Sequence, residues 1–162
     1  MKRILILIAA LPLLLGAKYI EPVGGFATVE FTQTGNPQAT FHTNGKDCSG
    51  MARLPGQPFY FNASAGPLKV PADQAVAFKL FQLAGMSATG SGGIDVSGCH
   101  VATSFTPRVG SRYRVHLDGA SCRIDVFVRN SADGSESPET TARARVVKPP
   151  FRSTGPFCKS DA

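Results

Sequence analysis

The 162-residue chain contains no tryptophan, and charged residues make up only 17% of it. No apolar stretch reaches the ~18 uninterrupted residues that a membrane-spanning helix needs. With 43% hydrophobic residues the chain is too apolar to be disordered, and with a net charge of +6 it is not an acidic protein. With a membrane-spanning, a disordered and an acidic protein excluded, the length and composition predict a single globular domain of ordinary size.

The sequence also lacks the motifs that carry most known site chemistry. It has neither a Cys-x-x-Cys nor a His-x-x-x-His spacing, which argues against a metal site. It has no Gly-x-Ser-x-Gly nucleophile motif, its acidic residues are scattered, and the glycine-rich stretch 90–93 is not followed by a lysine. No aromatic-rich nucleic-acid motif is present. We therefore expect a protein that is not an enzyme, carries no cofactor or metal, and does not bind nucleic acid.

The N-terminus has the features of an export signal. Lys2 and Arg3 form a basic start, and the apolar run Ile4–Ala17 follows, interrupted by Pro12. The run ends in small residues suited to cleavage and is not followed by a cysteine for lipid attachment. We predict a secretory signal over residues 1–17, a periplasmic or secreted protein, and no transmembrane segment after cleavage. The alternative is an uncleaved membrane anchor.

Export changes the interpretation of the four cysteines. An even number of cysteines in an oxidising compartment predicts disulfides, and four cysteines allow three pairings. We favour Cys99–Cys122, which would clip neighbouring strands together. The second pair, Cys48–Cys158, would tie the C-terminal tail to the domain.

Apolar and polar residues alternate with a period of two along most of the chain, and turn residues separate the alternating segments. Seven or eight short strands predict an all-β fold, a single antiparallel β-sandwich or partly open barrel. Residues 75–84 fit both a strand and a helix, and we favour a strand. Residues 99–129 are interpreted as a three-strand meander. The domain is expected over 18–147, with an irregular tail over 148–162.

Part of this pattern resembles a group of known sequences. The run Leu68-Lys69-Val70-Pro71-Ala72 precedes an apolar strand, and Cys99, Phe105-Thr106-Pro107, Tyr113-Arg114-Val115 and Cys122 follow. These motifs cover about half of the chain after the signal. They resemble small exported bacterial proteins and lipoproteins of uncharacterised function. The resemblance implies an envelope-associated β-sandwich and assigns no catalytic residue.

Strand alternation also predicts a candidate binding face. If Tyr113, Val115 and Leu117 point into the core, their neighbours point outward. The outward set on two adjacent strands is Arg112, Arg114, His116, Arg123, Asp125, Phe127 and Arg129. Four arginines against one carboxylate predict a basic face that binds an anionic envelope component or an acidic protein, with Phe127 as an apolar anchor. An ordinary solvated sheet face is the alternative.

Two other functions stay open at this point. A periplasmic inhibitor or immunity protein would act through a loop, either at Asp47 or over Met86–Gly93. A small hydrolase would use His116 and Asp118, which share a strand face. In the meander, His100 would lie opposite His116, although two histidines do not make a tight metal site. The sequence leaves the oligomeric state open.

Overall fold

Ten strands form two sheets in the computed structural model, which describes residues 18–88, 94–148 and 155–159. The strands are β1 (Phe26–Thr34), β2 (Gln38–Asn44), β3 (Ser49–Ala52), β4 (Leu68–Pro71), β5 (Val76–Ala88), β6 (Ile94–Phe105), β7 (Arg112–Asp118), β8 (Arg123–Arg129), β9 (Glu136–Pro138) and β10 (Arg143–Arg145). Over these residue ranges the chain has no helix long and apolar enough to cross a membrane.

The two five-stranded sheets confirm the predicted all-β, sandwich-like fold. Sheet A has the strand order β4-β1-β7-β8-β9, and sheet B has the order β10-β6-β5-β2-β3. Neighbouring strands are antiparallel except for β1 and β7, which run parallel. The strand count is ten rather than seven or eight because β3 and β9 are short edge strands whose glycine, serine and proline residues predict loops.

The core lies between the inner faces of the two sheets. Tyr113, Val115 and Leu117 are buried there, as the alternation on β7 predicts. The ring of Phe78 is central, because four other phenylalanine rings lie with their centroids 5.4 to 6.3 Å away: Phe31, Phe41, Phe61 and Phe105. Such offset and edge-on aromatic contacts stabilise a core beyond the burial of area alone.

The strand predicted for the ambiguous segment 75–84 is confirmed, since residues 76–84 lie within β5. The predicted three-strand meander is wrong. Strands β7 and β8 do form a hairpin, but β6 pairs with β5 and β10 in the other sheet. The chain between β6 and β7 crosses from one sheet to the other, so His100 does not lie opposite His116. Its strand neighbour is Phe81.

Both predicted disulfides are present, Cys48–Cys158 and Cys99–Cys122. The second does not clip neighbouring strands of one sheet, because it joins β6 of sheet B to the residue that precedes β8 of sheet A. The first fixes the C-terminal segment, residues 155–159, whose Cys158 amide also donates to the Asp47 carbonyl at 2.9 Å. The predicted signal over residues 1–17 lies outside the described residues, as do positions 149–154 and 160–162 of the predicted tail.

Candidate binding surface

The residues predicted to form a binding face do meet on one surface, the outward side of sheet A. We call this surface the A face; it consists of the outward residues of β1, β7, β8 and β9. The pairing of β7 with β8 places Arg114 beside Phe127, His116 beside Asp125, and Arg112 beside Arg129. Because their inward neighbours are buried in the core, these six side chains share one side of the sheet with Arg123, which pairs with Asp118.

A continuous chain of ion pairs runs across the A face. The Glu136 carboxylate on β9 accepts from Arg114 at 2.6 Å and from Arg129 at 3.1 Å. The Arg129 guanidinium also reaches Glu30 on β1 at 3.1 Å. The hydrogen bonds from Arg114 are the main cause that lowers the pKa of Glu136 below its usual value. Four side chains from four strands are thereby held in one arrangement.

Phe127 is part of the same arrangement. The guanidinium carbon of Arg114 lies 4.2 Å from the centroid of the Phe127 ring, a cation–π contact. Arg123 pairs with Asp125 on its own strand at 2.8 Å. Arg112 is exposed and has no carboxylate partner within the described chain. The A face therefore combines a rigid centre with two exposed arginines, Arg112 and Arg123.

The predicted excess of four cations over one carboxylate is wrong. Strands β1 and β9 flank the hairpin and add Glu30 and Glu136 to Asp125, so arginines and carboxylates are interspersed. The binding face predicted from the hairpin alone does not include these two residues. The alternation of Ala27, Val29 and Phe31 does place Glu30 outward, but the sequence carries no signal that β1 lies beside β7.

His116 and Asp118 have structural partners that account for their positions. Both nitrogens of the His116 ring lie within hydrogen-bonding distance of threonine hydroxyls on β1, Thr32 at 2.9 Å and Thr34 at 3.2 Å. Asp118 accepts from the Ser121 amide at 3.0 Å, and this bond lowers the pKa of its carboxyl. The two side chains therefore brace β1 and the β7–β8 turn, and the hydrolase hypothesis stays a prediction.

The two loops predicted for an inhibitor, at Asp47 and over Met86–Gly93, offer fewer features of a binding site than the A face does. The Asp47 carboxylate accepts from the Ser49 amide at 3.0 Å, and Cys48 between them is disulfide-bonded. This is the geometry of a pinned turn. In Met86–Gly93, positions 89–93 lie outside the described residues. No group of three or more histidine, cysteine, aspartate or glutamate residues suited to a metal ion occurs in the described ranges.

Comparison with protein-family models, curated proteins and solved structures finds no match to this chain. The chain is a small all-β protein of two sheets and two disulfides.

Proposed function

We propose that this chain is a non-enzymatic binding protein that works outside the cytoplasm and docks an acidic protein partner on the A face. The observation that carries the proposal is the stack of Arg114 on Phe127, held by Glu136, with Arg112 and Arg123 exposed around it. Arginine and aromatic residues are the types that dominate the binding energy of protein interfaces.

The mixed charge of the A face favours a protein over a polyanion. A partner of uniform negative charge, such as a phosphorylated glycolipid, would bring its charges against Glu30 and Glu136. A folded protein can present carboxylates to Arg112 and Arg123 and polar or basic groups to these two glutamates. Because Arg114 and Arg129 are already fixed by ion pairs, docking costs less side-chain entropy than it would with unconstrained arginines.

The predicted signal and the two disulfides support an extracytoplasmic setting, since disulfides persist mainly in oxidising compartments. The resemblance to small exported bacterial envelope proteins points the same way. Together these features favour the periplasm or the exterior as the place where the partner is met.

Replacing the arginines of the A face is expected to abolish co-purification of the partner. The protein would be isolated from its native envelope at low salt, and its companions identified by mass spectrometry. The variant carries serine at Arg112, Arg114, Arg123 and Arg129. Its matched control loses four exposed cations outside the A face: Lys18, Lys46, Arg53 and Lys159. We expect the first variant to bind at least ~10-fold more weakly and the control to bind normally, with binding weakened by salt.

A second variant, Arg112→Ser with Arg123→Ser, leaves the chain of ion pairs between Arg114, Arg129 and their glutamates intact. It therefore tests the docking surface even if the fourfold variant does not fold. Retention of the partner by both arginine variants would move the site to the loops and favour an inhibitor. Loss from the control variant as well would indicate unspecific charge attraction. Recovery of an anionic glycolipid in place of a protein would overturn the choice of partner.

A further inference from the structure

The outward side of sheet B carries a groove of about 270 Å³, on the surface opposite to the A face. Its floor comes from adjacent strands, because Gln38, Phe81 and His100 form one cross-strand row and Thr40 pairs with Lys79 in the next. Its lining residues are Gln38, Thr40, Met51, Tyr60, Lys79, Phe81, His100 and Phe157.

Aromatic side chains form much of the groove wall. Phe157 belongs to the C-terminal segment that Cys48–Cys158 fixes onto sheet B. Tyr60, from the loop before β4, is 55% exposed although it is large and apolar. The ring of Phe81 lies 4.7 Å from that of His100. Concave sites lined by apolar and aromatic side chains, with only a few polar groups, are typical of small-molecule binding.

The charge inside the groove is uncompensated. The Lys79 ammonium lies 5.0 Å from the centroid of the Phe157 ring, and no carboxylate pairs with it in the described part of the chain. Burial lowers the pKa of Lys79, and burial together with the Lys79 charge lowers that of His100. The arginines at the centre of the A face, by contrast, already have carboxylate partners. A half-buried cation without a counter-charge is stabilised by any anion that enters.

We propose that this groove binds a small organic anion, a carboxylate carried on a flat ring, with the carboxylate on Lys79 and the ring against Tyr60 and Phe157. Gln38 and His100 flank Phe81 in the row of the floor next to Lys79 and supply further hydrogen-bonding groups. The site is independent of the proposed docking function, because it lies on the other sheet.

The test is an amide NMR titration of the full chain with 2-naphthoate and indole-3-acetate. For ligands of this size we expect dissociation constants on the order of 1 mM. The shifts should concentrate at Thr40, Lys79, Phe81 and His100. The neutral analogue 2-naphthylmethanol should bind about 10-fold more weakly, because it lacks the charge that Lys79 recognises.

Lys79→Met keeps the length of the side chain, removes its charge, and should weaken 2-naphthoate binding about 10-fold. Lys69→Met is the matched control, since Lys69 lies 5.1 Å over the Phe26 ring on sheet A, and it should bind normally. Tyr60→Ala, at an exposed position, gives a second variant if Lys79→Met does not fold, and should also weaken binding. The proposal would be overturned by any of three results. These are equal binding by the groove variants and the wild type, chemical shift changes confined to another surface, and no chemical shift change up to ~10 mM of both anions.

Discussion

Replacing both Cys48 and Cys158 with serine is expected to lower the free energy of unfolding by about 5 kcal/mol. The disulfide joins residues 110 apart, and cross-linking so long a loop removes much of the entropy of the unfolded chain. The loss should also loosen Phe157, which is 9% exposed and packs beside the Cys48–Cys158 pair. Denaturant titrations of the oxidised wild type and of the double variant measure the difference.

The matched control is the double serine variant of Cys99 and Cys122. That bond spans only 23 residues, so the same entropic reasoning gives a loss of about 3 kcal/mol. The order of the two losses is the informative result. An equal loss, or a larger loss on removing Cys99–Cys122, would show that the C-terminal segment contributes less to the fold than the structure indicates.

Acidification is expected to destabilise the domain by about 3 kcal/mol through His42 alone, between pH ~6.5 and pH ~4. The side chain is fully buried beneath the C-terminal segment, with its ring 5.2 Å from that of Phe157. Burial, and then the charge of Lys79, lower the pKa of His42 from 6.5 to about 4. Its Nε2 atom lies 2.8 Å from the Thr40 hydroxyl oxygen, within hydrogen-bonding distance.

The sign follows from which state takes up the proton first. With a folded pKa below 6.5, the unfolded chain binds the proton at a higher pH than the folded chain. The contribution is therefore complete above pH ~6.5 and is lost as the pH falls toward 4. Urea titrations at several pH values measure the free energy of unfolding as a function of pH. Between pH ~6.5 and pH ~4 this free energy should fall more steeply for the wild type than for His42→Gln, because the carboxylates titrate in both proteins. Identical slopes would contradict the buried, neutral state of His42.

Local features of this chain could be predicted from its sequence, and long-range pairings could not. Period-two alternation placed Tyr113 and Val115 in the core and Arg114 and Phe127 on the surface, because side chains on a strand alternate between its faces. Turn residues predict where the chain reverses, but not whether the next strand joins the same sheet. Pro107 and Gly110 are turn residues within the meander predicted over residues 99–129, although the chain there connects two sheets.

The same limit applies to both candidate sites. Glu30 reaches the A face through a parallel pairing of β1 with β7, more than eighty positions away along the chain, and nothing near Glu30 indicates that contact. The groove needs Phe157 from the end of the chain and Tyr60 from a loop, brought to Lys79 by the disulfide and the sheet. Such sites depend on tertiary contacts, which periodicity does not encode.

Arginine labelling with phenylglyoxal, with and without the co-purified partner, tests the docking function most directly. Arg112 and Arg123 are exposed on the A face, and Arg53 is an exposed arginine outside it. The proposed function predicts that the partner protects Arg112 and Arg123 from labelling while Arg53 reacts as before. Unchanged labelling of Arg112 and Arg123 in the complex, or protection of Arg53 alone, would contradict it.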